Sequence, residues 1–481
     1  MKNEKSKVQI FVQGSFFLIL SNICIKAINF FLLPLYTKNL NPSMLGASDS
    51  ITTFTGILFP LLVLGLDSAY SAFYFDKADI NRDKKVFSTL GFTFFLLGWV
   101  PILMCVASRS LSSLIFKTDT YSMEVVVALI GVAFNLWYLP FSLELRLKNR
   151  MGRFGFVSII SSLSMVLLNI VFVTILKLGE MSLILSTTIV AAEHLLLYDM
   201  LTGYFPKRQF FNAELFRSMV RFSLPLIPSV LMAWVLSLSD RYILLYYYGD
   251  TAVGLYGIGA RFVTLLNVVI NAVNTAYTTF AFGSKDDDNA QEKYYYIFNV
   301  VSVLLIAIAF TAALFSKEII SVMTDDAYES SYVIIRDMMF GQVFYAMSTI
   351  VSYGIVFKKK SVYSLVAVSS GAIVNLVLNF IFIPQYGLVA AALTTLIGYF
   401  VNLVVCYYFS EKLYPCKYGL KRVMLTCFIM YIVSLVTQEI LWQKRVVIWI
   451  VCFAVFGVLY RDIASIIIRF APNFLKTLVK Q

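Results

Sequence analysis

The sequence predicts an all-α integral membrane protein with fourteen transmembrane helices: two six-helix repeats followed by two further helices. Three observations predict it. The 481 residues are 59% hydrophobic and only 14% charged, with a mean hydropathy of +0.80. A soluble domain of this length needs a charged, mixed surface instead. The apolar residues also fall in blocks such as 14–36, 87–106, 154–176 and 298–315, each matching the ~20 residues an α-helix needs to cross the hydrocarbon layer. Strands of a membrane barrel would alternate apolar and polar residues, and these blocks do not. The third observation is an internal repeat, described below.

The basic stretch Met1–Lys7 leads into the first block with no small-x-small cleavage site after it, so that block reads as helix 1 and not as a removed leader. Helices 1 to 14 are expected at 14–36, 48–74, 86–107, 123–143, 155–176, 181–203, 222–247, 252–282, 295–315, 331–356, 362–383, 387–409, 423–440 and 446–461. The connecting segments then alternate between two sides. One side, holding both termini, carries 28 of the 39 lysines and arginines, the other carries seven, and four lie inside spans. This bias is the positive-inside signature, so both termini are expected in the cytoplasm of a bacterial inner membrane. The net charge of +12 is thereby a topology signal with affinity for anionic membrane lipids, and it calls for no nucleic acid. The tail after Arg461 reads as a short amphipathic segment along the interface. Cys24, Cys105, Cys406, Cys416, Cys427 and Cys452 are scattered without CxxC spacing and read as free thiols, not as disulfides or metal ligands.

Ser68-Ala-Tyr-Ser-Ala-Phe-Tyr-Phe75, ending helix 2, matches Thr275-Ala-Tyr-Thr-Thr-Phe-Ala-Phe282, ending helix 8. Gly46 pairs with Gly254, Leu168-Asn169 with Leu378-Asn379, and Thr187-Thr188 with Thr394-Thr395, all at nearly one offset. Residues 1–221 and 222–410 are thus expected to be two like halves, with helices 13–14 and the tail (411–481) an addition. An even number of helices per half preserves orientation, giving parallel repeats of the kind that alternating-access transporters use.

Charges and amides inside spans are costly and need a reason. In helix 8, Arg261, Thr264, Asn267, Asn271, Asn274 and Thr278 recur every three or four residues, which places them along one face. Helix 1 carries Asn22, Lys26 and Asn29, helix 2 carries Asp67, and helix 7 carries Asp240 and Arg241. Arg336 lies in helix 10 beside Asp337. A water-filled passage explains such stripes; hydrogen bonding between helices is the competing explanation. An Asp240–Arg261 ion pair, snorkelling of Arg336 and a proton relay through Glu193, His194 and Asp199 also stand open. Phosphate-binding glycine loops, nucleophile elbows and zinc motifs are absent from the sequence, so neither catalytic residues nor a cofactor nor a metal are expected.

The stretches Leu33-Pro-Leu-Tyr-Thr with Gly46, Ser239-Asp-Arg-Tyr-Ile-Leu with Val253-Gly-Leu-Tyr256, and 375–392 (NLVLNFIFIPQYGLVAAA) resemble the Wzx-type polysaccharide repeat-unit flippases of the multidrug/oligosaccharidyl-lipid/polysaccharide exporter superfamily. The resemblance runs over most of positions 10–410. It implies a V-shaped, two-bundle fold that moves undecaprenyl-pyrophosphate-linked oligosaccharide from the cytoplasmic to the outer leaflet. It also implies a cationic cleft between helices 1, 2, 7 and 8, making Lys26, Arg241 and Arg261 headgroup contacts. Polysaccharide polymerase and glycosyltransferases are the implied partners, in biosynthesis of a surface polysaccharide such as lipopolysaccharide. Helix 1 lacks the arginine-bearing signature of the lipid II flippases, and the fourteen helices depart from the twelve usual in multidrug exporters. A cation-coupled exporter of small amphiphiles is the alternative reading, and a membrane scaffold for polysaccharide assembly is a third.

Overall fold

The computed structural model describes residues 30–74, 81–148, 150–203, 205–285, 287 and 289–461. The candidates Asn22, Lys26 and Asn29, most of helix 1 and the tail beyond Arg461 lie outside the described residues. Eleven helical stretches among the described residues are long and apolar enough to span a membrane. Two of these stretches each hold two predicted spans. Ile227–Gly283 contains helices 7 and 8 and turns at Gly249 (φ 73°). Val362–Leu413 contains helices 11 and 12 and turns at Gly387 (φ 55°). Glycine enters this left-handed region without the Cβ penalty other residues meet, so two apolar spans join through almost no loop. Each of helices 2 to 14 therefore has an observed counterpart. The chain is a multi-pass α-helical membrane protein.

Several expected loops are helical. Ser108–Phe116 prolongs helix 3, and Ser316–Met323 follows helix 9. Ala213–Ser223 forms between helices 6 and 7, where Asn212 caps it by accepting the Leu215 amide at 2.8 Å. Leu215 and Met219, one turn apart on a single face, are buried, so tertiary packing makes a helix of a segment too polar to read as a span. Helix 2 is broken: Pro42–Val63 ends at Leu64 (φ 54°) and Gly65 (φ 67°), and Leu66–Tyr74 begins again. Pro60 sits one turn ahead of the break, where its ring interrupts the hydrogen-bond ladder.

By packing, the chain forms two compact units. Among the described residues, the first comprises those from 30 to 258 with 324–328 and 379–388. Its core gathers Tyr70, Phe87, Phe94, Leu136 and Val157. Within that core Glu144 is fully buried, accepts a hydrogen bond from Tyr70 and pairs with Lys148 at 2.8 Å. The second comprises the described residues among 259–323, 329–378 and 389–461. There the added helices are pinned to helices 9 and 10 by polar ties. Tyr431 of helix 13 donates to Asp337 at 2.7 Å, Arg445 pairs with Glu318 and donates to the Leu314 carbonyl at 2.6 Å, and Trp449 donates to Thr311 at 2.9 Å.

Candidate functional site

In the first unit the residues of the resembling stretches cluster at turns and close approaches. Gly46 and Gly254 face each other: a Cβ on Gly46 would lie 1.8 Å from the Asp250 carbonyl oxygen, and one on Gly254 would lie 1.9 Å from that of Pro42. The contact is reciprocal, each glycine meeting the carbonyl four residues before the other. Equivalent residues packed on each other in this way are what a duplicated element gathered about a two-fold axis produces. Asp240, nearly inaccessible, accepts from the Tyr256 hydroxyl across the Gly249 turn and from the Arg241 amide at 2.8 Å. Tyr248 donates to the Pro384 carbonyl at 3.1 Å, its ring lying over Gly387. Asn169 donates to Tyr36 at 2.9 Å.

Helix 7 presents a row of donors toward helix 2. Arg241 is half-buried; its Nη1 donates to Thr53 Oγ1 at 3.4 Å, and its Nε is buried without an acceptor among the described residues. Trp234 lies seven residues earlier on the same face, and its Nε1 is likewise buried without an acceptor among the described residues. A glycine opposite it, Gly56, leaves room: its added Cβ would sit 3.9 Å from the Trp234 Nε1. Buried donors without partners are uncommon and costly. Two on one helical face, beside a hydroxyl, suit an oxygen-rich or anionic group, because guanidinium and indole N–H donate only. Trp234 was not legible as a site residue in the sequence, where a lone tryptophan in an apolar span reads as packing. Asp67 is half-buried in the first turn after the break in helix 2.

In the second unit, helix 8 separates its faces sharply. Phe262, Leu266, Ile270, Tyr277 and Ala281 are buried. Arg261, Thr264, Asn267 and Asn274 are only half-buried, and Asn271 and Thr278 are exposed. Asn274 accepts from Thr349 at 3.0 Å, and Thr278 bonds the Tyr353 hydroxyl. Asn267 and Asn271 have no side-chain hydrogen bond to the protein among the described residues. Within the polar stripe, Asn267 and Asn271 are therefore the amides that packing among the described residues leaves without a partner.

Two sequence candidates stand apart from this picture. Arg336 neither snorkels nor faces open space. It is 6% exposed, its Nε donates to Asp337 Oδ1 at 3.0 Å, its Nη2 to Asp337 Oδ2 at 3.4 Å and its Nη1 to Gln438 at 3.0 Å. With every guanidinium nitrogen engaged, Arg336 ties helix 10 to helix 13 and offers no donor to a headgroup. Asp240 is sealed by Tyr256, so its place here is to hold the helix 7–8 turn. The relay suggested for helix 6 is not assembled either. Glu193 accepts from Ser161 at 3.4 Å, His194 packs between the Tyr138 and Tyr198 rings at 4.9 and 5.6 Å, and Asp199 lines a separate cavity.

The comparisons with known proteins agree with this architecture. Among solved structures, the chain is similar to the lipid II flippase MurJ in an inward closed conformation, with a TM-score of 0.73 and 18% identity over 94% of this chain and 100% of that one. It is also similar to an inward-facing multidrug resistance MATE family transporter of the MOP superfamily, with a TM-score of 0.63 and 16% identity over 82% of this chain and 97% of that one. A third is a MOP superfamily transporter from Pyrococcus furiosus, at a TM-score of 0.58 and 16% identity over 83% and 95% of the two chains. These neighbours are named as flippases and transporters, and the chain shares their fold. No curated protein matches the sequence significantly. A MatE family model matches residues 225–381, and the model of the polysaccharide biosynthesis protein family matches residues 11–281. The chain belongs to the polysaccharide biosynthesis protein family.

Proposed function

We propose that the chain is a flippase that carries undecaprenyl-pyrophosphate-linked oligosaccharide repeat units from the cytoplasmic to the outer leaflet of a bacterial inner membrane. In this reading the repeat halves 1–221 and 222–410 alternate in exposing the path, and both termini face the cytoplasm, as the lysine and arginine bias argues. The observation that supports it is the placement of polar groups that packing among the described residues leaves unused: Trp234 Nε1 and Arg241 Nε of helix 7 and the Asn267 and Asn271 amides of helix 8. An unpaired amide costs roughly 4–8 kcal/mol in hydrocarbon, so Asn267 and Asn271 argue for a wetted face. The same arithmetic explains why a sugar headgroup needs a protein path at all, since each hydroxyl meets a similar cost. Amides suit sugars because each offers donor and acceptor, and arginine suits a pyrophosphate. The MurJ structure, named as a lipid II flippase, supports a lipid-linked cargo; polymerase and glycosyltransferases remain the proposed partners.

A chain matched in part by the MatE family also admits export of small amphiphiles as a second reading. Polymer output in a strain depleted of its own flippase separates the two. We expect the wild-type chain to restore surface polymer and Arg261→Ala and Lys26→Ala to abolish it at equal membrane abundance. Full output from both variants refutes the headgroup role, and restored drug resistance without polymer favours the exporter.

A further inference from the structure

Away from these helices, the first unit holds a cavity of about 450 Å³, within the ~300–1,000 Å³ of small-molecule sites. It lies between helices 3, 4 and 6 and the segment that follows helix 6. Its walls are mainly aromatic: Phe92, Phe95, Trp137, Phe141 and Phe205. They are held in place. Trp137 Nε1 donates to the Phe95 carbonyl at 3.1 Å, Trp137 stacks on Phe95 at 6.3 Å, and Phe205 meets Phe141 edge-on at 6.1 Å. Pro206 presses on helix 3 where it has no side chain, since a Cβ on Gly91 would lie 2.3 Å from the proline ring. Among the described residues one charged group lines this space, Asp199, and its Oδ1 is buried without a donor.

We infer that this cavity binds a membrane phospholipid with a primary ammonium headgroup, phosphatidylethanolamine in a bacterial membrane. Aromatic faces attract a cation through their quadrupoles, and a carboxylate oxygen that lacks a donor completes the recognition of an ammonium. The cavity adjoins the lipid-facing surface, because Leu196, Met200 and Phe205 are 65%, 75% and 64% exposed on the same elements. An acyl chain can follow that surface while the headgroup sits against Asp199. Lys207 and Arg208, exposed directly after Pro206, supply cations for the lipid phosphate. A purely anionic lipid would bring its phosphate to the same place with nothing for the carboxylate, so the site discriminates by headgroup. The helix 7 and 8 groups discussed above are not involved, and the inference stands or falls independently of the cargo.

Trp137 makes the test direct. The purified full chain is placed in phosphatidylcholine nanodiscs with increasing fractions of brominated phosphatidylethanolamine or brominated phosphatidylglycerol. The quenching lost in Trp137→Phe isolates the signal from this wall. We expect half-quenching by the ethanolamine lipid at a mole fraction about tenfold lower than by the glycerol lipid, the scale of one charge-assisted hydrogen bond. Asp199→Asn should erase the preference while leaving chain quenching intact. Equal quenching by both lipids in the wild type overturns the inference even if the variant fails to fold, and so does a preference that survives Asp199→Asn.

Discussion

Replacing Gly46 with alanine probes the closest approach in the first unit. The added methyl would stand 1.8 Å from the Asp250 carbonyl oxygen and 2.7 Å from the Gly254 amide nitrogen. Reaching ordinary contact near 3.4 Å requires a shift of about 1.6 Å between two backbones, since neither obstacle is a side chain that can turn away. Overpacking of this kind costs about 1–3 kcal/mol, which opens the crossing about 5- to 150-fold more often. Ala47 is fully buried beside it and reports that opening. In an Ala47→Cys background, maleimide labelling should accelerate by that factor when Gly46→Ala is added. Gly254→Ala should do the same, and the two together should cost less than their sum, because the first already separates the helices. Gly152→Ala, with nothing within 4 Å of its added Cβ, is the control. Unchanged labelling in both crossing variants would refute the reasoning.

Other consequences follow from single elements. Asn271→Leu should impair transport more than Val269→Leu, because it removes an uncovered amide; equal effects would demote the stripe to packing. Arg336→Ala strands the Asp337 carboxylate and should cost about 3–5 kcal/mol, read as a fall in the folded fraction of detergent-solubilised protein. Arg336→Met with Asp337→Leu should recover most of it, and failure to do so would point to a role beyond the tie. Cys416, between helices 12 and 13, has its thiol pushed up to about 11 by burial. Since the thiolate reacts, its labelling should be slow at pH 8 and climb as pH approaches that value; fast labelling at pH 8 would show the segment to be open.

Most of the architecture was legible because membrane spans announce themselves by length and composition. The Gly249 and Gly387 turns were legible only as span boundaries; that they join helices almost without loops follows from positive φ values, which a sequence does not display. The amphipathic helix Ala213–Ser223 escaped notice because its apolar face is narrow and its formation depends on where Leu215 and Met219 pack. The helix 8 stripe was readable from spacing alone, since a 3.6-residue period fixes a face. Arg336 and Asp240 misled for one shared reason. A charge inside a span signals that a partner exists, without saying whether the partner is cargo or protein; Arg336 pairs with its neighbour Asp337 and with Gln438, 102 residues away, and Asp240 accepts from Tyr256, 16 residues away. Trp234 carries the opposite lesson: its unpaired Nε1 is a property of packing that composition hides.

The most direct measurement of the central claim is flipping in proteoliposomes by the purified chain of a fluorescent polyprenyl-pyrophosphate oligosaccharide, scored by how much an added impermeant glycan-modifying enzyme can reach. The account predicts transbilayer movement by the wild type that Arg261→Ala and Trp234→Phe each slow at least tenfold. Movement at the wild-type rate by both variants, or none by the wild type, would contradict it.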